Sequence, residues 1–209
     1  MPRLMVKTSC LITLMFGATL VLAQTEFSAE LVNTTKAGNP VQAKIYIAKD
    51  KMRFEPAEKD PRGMTGAFIV NLTTQTSTVL MDQQHMYMEM PAQTPNQRNT
   101  YNLFHIGDAE NACADWLAQG RNKGGTCHKV GGDTVNGRSA VKYEGTNAAG
   151  DAATVWIDPK LRFPVKWQDK NGSGELRNIQ EGAQPAGLFE IPAGYTKVDV
   201  GAMMKQRPQ

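Results

Sequence analysis

The sequence has no stretch that is long and apolar enough to cross a bilayer as a helix. Its apolar run Leu11–Ala23 (LITLMFGATLVLA) falls short of the roughly 20 residues that a spanning helix needs. An excess of one charge is missing too. There are 23 basic and 20 acidic side chains, and two of the basic ones, Arg3 and Lys7, precede the apolar run. Without them the balance is 21 to 20, a net charge of +1. Such a mixed surface offers no phosphate-tracking stripe, so nucleic acid is not expected as a partner. Catalytic motifs are also lacking: there is no Gly-x-Ser-x-Gly, no His-Glu-x-x-His and no phosphate-cradling glycine loop. The stretch GGTCHKVGGDTVNGRS (124–139) is rich in glycine but lacks the strand-to-helix context such a loop needs. Scattered carboxylates such as Asp158 and Glu144 read as turn and surface residues. The expectation is a protein that is not an enzyme and uses no cofactor. There is no repeat of fixed period.

What is present begins with an export signal. Arg3 and Lys7 supply a basic start, Leu11–Ala23 the apolar middle, and Ala23 a small residue before Gln24. That is the pattern of a cleaved signal peptide over residues 1–23. Cys10 lies ahead of the apolar run, where it is not placed to become a lipidated N-terminus. The processed protein is therefore expected to be soluble rather than membrane-spanning, in the periplasm or secreted. Residues 24–200 are long enough for one domain with a real core, and 201–209 read as a flexible tail. Two cysteines survive processing, Cys113 and Cys127. In an oxidising compartment an even pair defaults to a disulfide, worth about 3 kcal/mol in the chain-entropy model. No Cys-x-x-Cys spacing favours a metal, although His128 adjoins Cys127.

Period-two alternation dominates the rest. FSAEL places Phe27, Ala29 and Leu31 on one face. VQAKIYI places Val41, Ala43, Ile45 and Ile47 on one face and Gln42, Lys44 and Tyr46 on the other. Lys49 to Lys51 turn the chain into Met52 and Phe54, which predicts a hairpin. AFIVNL (67–72) and STVLM (77–81) flank a Thr/Gln-rich turn. HMYMEM (85–90) is closed by Pro91, which cannot donate to a ladder. Asn136-Gly137, Asp158-Pro159 and Asn171-Gly172 punctuate AVKYEG, ATVWID and FPVKWQD as further turns. One helix is predicted, DAENACADWLAQG (108–120). Its apolar stripe is Ala109, Ala112, Cys113, Trp116 and Leu117, with Asp108 as N-cap and Gly120 as stop. Pro91 to Gly107 has no periodicity, is long for a connector, and packs down in part through Phe104 and Ile106.

VWIDPKLRFPVKWQDKNG (155–172) resembles the late hairpin of the LolA/LolB-like lipoprotein-carrier superfamily, where a strand ends in Trp-x-Asp-Pro and a short turn reaches a proline. LFEIPAGYTKVDV (188–200) is similar to that superfamily's Phe-x-Ile-Pro-x-Gly-Tyr ending, and MYMEMP to a Tyr-containing strand that ends near a proline. The likeness follows the order of elements over most of the processed chain. It implies a mainly β (α+β) fold: a strongly curved antiparallel sheet, a half-barrel, covered on its concave side by short helices and loops. In the carriers that hollow holds acyl chains. The resemblance thus implies a hydrophobic small molecule, a lipid or a lipoprotein as partner. The long loop and the Cys113/Cys127 pair depart from the family pattern at the mouth.

Met86, Met88 and Met90 alternate with His85, Tyr87 and Glu89. In a strand the three thioethers share a face, about 6.7 Å from one to the next, and His85 points away. Two readings of that face stay open. Methionine fills irregular apolar space and adaptable binding walls, and thioethers also favour Cu(I). As a wall, Met86, Met88 and Met90 line the hollow together with Trp156 and Trp167, the candidate ligand-binding residues; as a metal site, the same three methionines hold Cu(I). His105 and His128 stand alone and read as ordinary histidines. The function classes left are an exported binding protein with an apolar cavity, a periplasmic Cu(I) binder, and a non-catalytic envelope adaptor whose cavity is filled.

Overall fold

The computed structural model describes residues 25–57 apart from 37 and 39, 65–91, 106–118 and 122–198. The expected signal peptide (1–23) and tail (201–209) lie outside the described residues, as does most of the long loop, including Phe104 and His105.

Alternation and turn chemistry produce the strands. They are β1 (Phe27–Thr35), β2 (Pro40–Ile47), β3 (Lys51–Pro56), β4 (Phe68–Asn71), β5 (Thr76–Met81) and β6 (Met86–Pro91), then β7 (Thr126–Val135), β8 (Arg138–Thr146), β9 (Ala152–Asp158), β10 (Phe163–Asp169), β11 (Gly172–Glu181) and the short β12 (Thr196–Lys197). All join one sheet in the order β12-β6-β5-β4-β3-β2-β1-β11-β10-β9-β8-β7. The pairings are antiparallel except β12 with β6. The β7–β8 turn is made by Asn136 (φ 48°) and Gly137 (φ 80°), the positive-φ pair that a two-residue hairpin requires.

The sheet is open and curved, and the expected half-barrel architecture holds. Three bulges contribute to the bend, at Ser28/Glu30, Lys129/Gly131 and Pro164/Lys166, because an extra residue on one strand increases local twist. The rings of Phe27 and Phe163 meet edge to face with centroids 5.3 Å apart, although β11 lies between their strands. Two strand spacings in a flat sheet amount to about 9.5 Å, so the curl brings these rings together.

The interior divides into three clusters. The largest joins Phe27, Ile45, Ile47 and Val70 from one half of the sheet to Trp156, Phe163, Val165 and Leu176 from the other. A second lies between β8–β9 and the segment around Ile106 and Ala112. The third packs Ile69 and Leu80 against Phe189, with Tyr46, Tyr87 and Tyr195 at its margin.

The structure revises several expectations. Helix α1 covers only Cys113–Ala118, not the whole of 108–120. Asp108 caps a turn, its Oδ1 accepting from the Glu110 amide at 2.9 Å, and its carbonyl takes the Asn111 amide. Gly120 lies outside the described residues. Val41 is 42 % exposed because it sits at the open end of β2, past the last buried row. Asp158 is a turn residue as expected but is buried, at 2 % exposure. Helical cover is thin: among the described residues α1 is joined only by the 3-10 turns Asp82–Gln84 and Ala186–Phe189.

Candidate functional site

Helix α1 is too short to be stable by itself, and tertiary links hold it down. Cys113 is bonded to Cys127 of β7, with Cα atoms 5.4 Å apart, as the sequence predicted. The Tyr143 hydroxyl donates to the Ala109 carbonyl at 2.9 Å and accepts from the Ala112 amide at 3.4 Å. Burial pushes the Tyr143 phenol above its ordinary range. Asp115 accepts from the Gly107 amide at 3.0 Å, Arg162 donates to the Ile106 carbonyl at 3.2 Å, and the buried Asn122 amide donates to the Trp116 carbonyl at 3.1 Å.

Between α1 and strands β8–β10 lies a cavity of about 70 Å³, walled chiefly by Ile106, Ala112, Trp116, Tyr143, Val155 and Ile157. Trp116 Nε1 is buried there and, among the described residues, finds no hydrogen-bond partner. An indole N–H left unpaired costs about 1–3 kcal/mol. Glu144 borders the cavity; its hydrogen bond to Lys142, at 2.7 Å, holds the carboxyl below its usual range. The chamber can hold a small apolar fragment. It contains no nucleophile–base pair, and no group of three or more His, Cys, Asp or Glu suited to a metal occurs among the described residues.

None of the five candidates named from the sequence lines this cavity. Trp156 packs into the largest cluster, donates from Nε1 to Asp133 at 2.7 Å, and carries Lys166 and Lys142 ammoniums 4.8 and 5.6 Å from its ring. Trp167 lies across Gly174, where a Cβ would stand 2.3 Å from its Cζ2. Met86, Met88 and Met90 share one face of β6, half-buried, far from α1 in strand order. His128 is exposed, 3.8 Å from Glu144. The sequence did signal Trp116, as part of the helical stripe. It gave no signal for Tyr143, whose role depends on what lies over β8.

No protein-family model and no curated protein matches the sequence. Solved structures do. An uncharacterized conserved protein from Thermus thermophilus is 11 % identical over 85 % of this chain and 91 % of its own, with a TM-score of 0.54. Pseudomonas aeruginosa MucB, in its complex with MucA, is 16 % identical over 82 % of this chain with a TM-score of 0.51. This chain spans 57 % of that MucB chain. A LolA superfamily protein from Nitrosomonas europaea matches at 7 % identity over 82 % of this chain and 91 % of its own, with a TM-score of 0.34. At these identities the likeness concerns the fold alone, an open curved sheet shared with the Thermus protein and with MucB.

Proposed function

We propose that this protein is a non-catalytic binding protein of the bacterial envelope that receives an acyl chain, free or carried on a lipid or lipoprotein, beneath α1. The observation that carries the reading is the cavity wall, whose exposed surface is mostly apolar, with Asp115, Glu144 and Thr154 contributing its few polar atoms. Each methylene removed from water there gains about 0.8 kcal/mol. The cavity volume of about 70 Å³ is well below the roughly 300 Å³ of a small ligand pocket, so uptake of a whole chain requires α1 to lift. In this reading α1, only six residues long, is the part of the wall that moves, and Cys113–Cys127 limits how far it does so. The half-barrel fold supports the reading, and the disulfide supports an oxidising compartment.

Titration with a fluorescent fatty acid, together with mass spectrometry of extracts from gently purified protein, tests this. Saturable binding is expected, and Val155→Phe, which fills the cavity, should abolish it while the protein stays folded. Empty extracts and no binding, with the disulfide either formed or reduced, would sink it.

The small volume favours a second reading: an adaptor whose interior is filled by its own side chains and whose surface contacts another envelope protein. MucB, of similar fold, forms a complex with MucA. Absence of lipid uptake in both redox states leaves the adaptor in place.

A further inference from the structure

The three aligned methionines of β6 acquire a fourth neighbour in the fold. The β5–β6 register sets Met81 directly opposite Met86, which puts their Cβ atoms about 5 Å apart. Met88 follows on the same face, about 6.7 Å along the strand from Met86 and about 7 Å diagonally from Met81. Met90 pairs with Ser77 and lies about 13 Å from Met86, too far to share an ion with it. All four are half-buried, and among the described residues none packs into the three core clusters. No harder donor of the same strand shares the face. His85, in the left-handed region (φ 49°), turns its ring against Tyr195 at 5.6 Å, and Glu89 is ion-paired with Lys197.

We propose that Met81, Met86 and Met88 form a binding site for one soft monovalent cation, Cu(I) or Ag(I), at the β5–β6 end of the sheet. A donor set of thioethers alone discriminates against Zn(II), Mg(II) and Ca(II), which prefer imidazole, thiolate or oxygen. Each side chain has three rotatable bonds, so sulfurs rooted at these spacings converge without moving the backbone. Tertiary structure thereby replaces the collinear set Met86, Met88 and Met90 with a triangle that recruits Met81 and drops Met90. The site is separate from the cavity beneath α1 and stands or falls independently of it.

The test is competition for Cu(I) against bicinchoninate, under anaerobic conditions without a thiol reductant, so that Cys113 and Cys127 stay bonded. The wild-type chain should take one equivalent. Met81→Leu, Met86→Leu and Met88→Leu should each weaken binding at least tenfold, and Met90→Leu should leave it within twofold. Methionine-to-leucine exchanges conserve volume, and unfolding midpoints verify that each variant folds. Independently of any variant, Ag(I) should protect Met81, Met86 and Met88, but not Met90, from mild peroxide oxidation read by peptide mass. Failure of the wild type to compete, unchanged affinity in all the variants, or a loss in Met90→Leu equal to that in Met81→Leu would overturn the assignment.

Discussion

The Asp158 carboxylate and the Arg138 guanidinium meet at 2.6 Å, pinning the β9–β10 turn to the β7–β8 hairpin. The other Asp158 oxygen accepts from the Lys160 and Leu161 amides at 2.8 and 3.0 Å. Arg138 reaches on to Glu181 at 2.8 Å, and Lys160 joins the same carboxylate at 2.6 Å. Losing Asp158 would leave Arg138 with Glu181 alone and deprive the Lys160 and Leu161 amides of their acceptor. Each buried donor left unpaired costs about 1–3 kcal/mol. Asp158→Ala should therefore cost about 3 kcal/mol, read as a lower urea midpoint with unchanged slope. A loss under about 1 kcal/mol would show that the pair does not hold the turn.

Trp167 and Gly174 face each other across β10 and β11, with no room for a methyl group between them. Gly174→Ala should destabilise by about 1–3 kcal/mol, the usual cost of overpacking, and shift tryptophan fluorescence as the ring is displaced. Gly182→Ala is the comparison: its φ of 145° is unfavourable to alanine but no atom lies near its Cβ position, so it should leave the fluorescence unchanged.

Reducing the Cys113–Cys127 bond, or Cys113→Ser with Cys127→Ser, should lower stability by about 3 kcal/mol through the unfolded chain. If α1 is the movable wall, the same change should raise the rate of fatty-acid uptake. Thermal melts and stopped-flow fluorescence read the two effects separately.

Trp116→Phe removes a buried N–H without a partner. The unpaired-donor penalty of about 1–3 kcal/mol is relieved as ring volume is lost, so the variant should lie within about 1 kcal/mol of wild type. A larger loss in chemical denaturation would mean that the indole nitrogen is satisfied in solution.

Acid should destabilise the fold through four carboxylates held below their usual range. Asp133 is held by the Trp156 N–H and then the Thr134 amide, and Glu144 by Lys142. Asp151 is held by Lys170 and then Asn147, and Glu181 by Lys160 and then Arg138. A depressed folded-state pKa contributes stability that is present above the unfolded value and lost as pH falls through the folded one. The decline should begin near the ordinary glutamate value of 4.5 and deepen below it. Tyr143, raised by burial, gives the opposite arm: its contribution is intact below the ordinary value of 10.0 and lost above it. Urea midpoints across this range check both signs, and a flat profile in the acid arm would contradict the first.

Sequence alternation carried the strands because side chains on a strand alternate at period two whatever their neighbours are. Ala43, Ile45 and Ile47 are buried together for that reason, and Asn136-Gly137 turns because its backbone preferences are local. The helix was legible only in part. Of its stripe, Ala112, Cys113 and Trp116 face the sheet, while Ala109 lies in the preceding turn that Asp108 caps. Tyr46 and Tyr87 were read as the far face of their strands. The chain near Phe189 and Tyr195 returns to pack there, a contact between segments distant in sequence that no local pattern encodes.

By itself the sequence determined most of the strands, though not the extents of β7, β11 or β12, together with the hairpin turns, the Cys113–Cys127 pair and the shared face of Met86, Met88 and Met90, all consequences of spacing along the chain. Tertiary structure alone decided that Asp158 is buried, that an apolar cavity sits under α1, and that Met81 stands opposite Met86. Those relations depend on cross-strand register and on which segment folds back over the sheet, and both are set by the free energy of the whole packed arrangement.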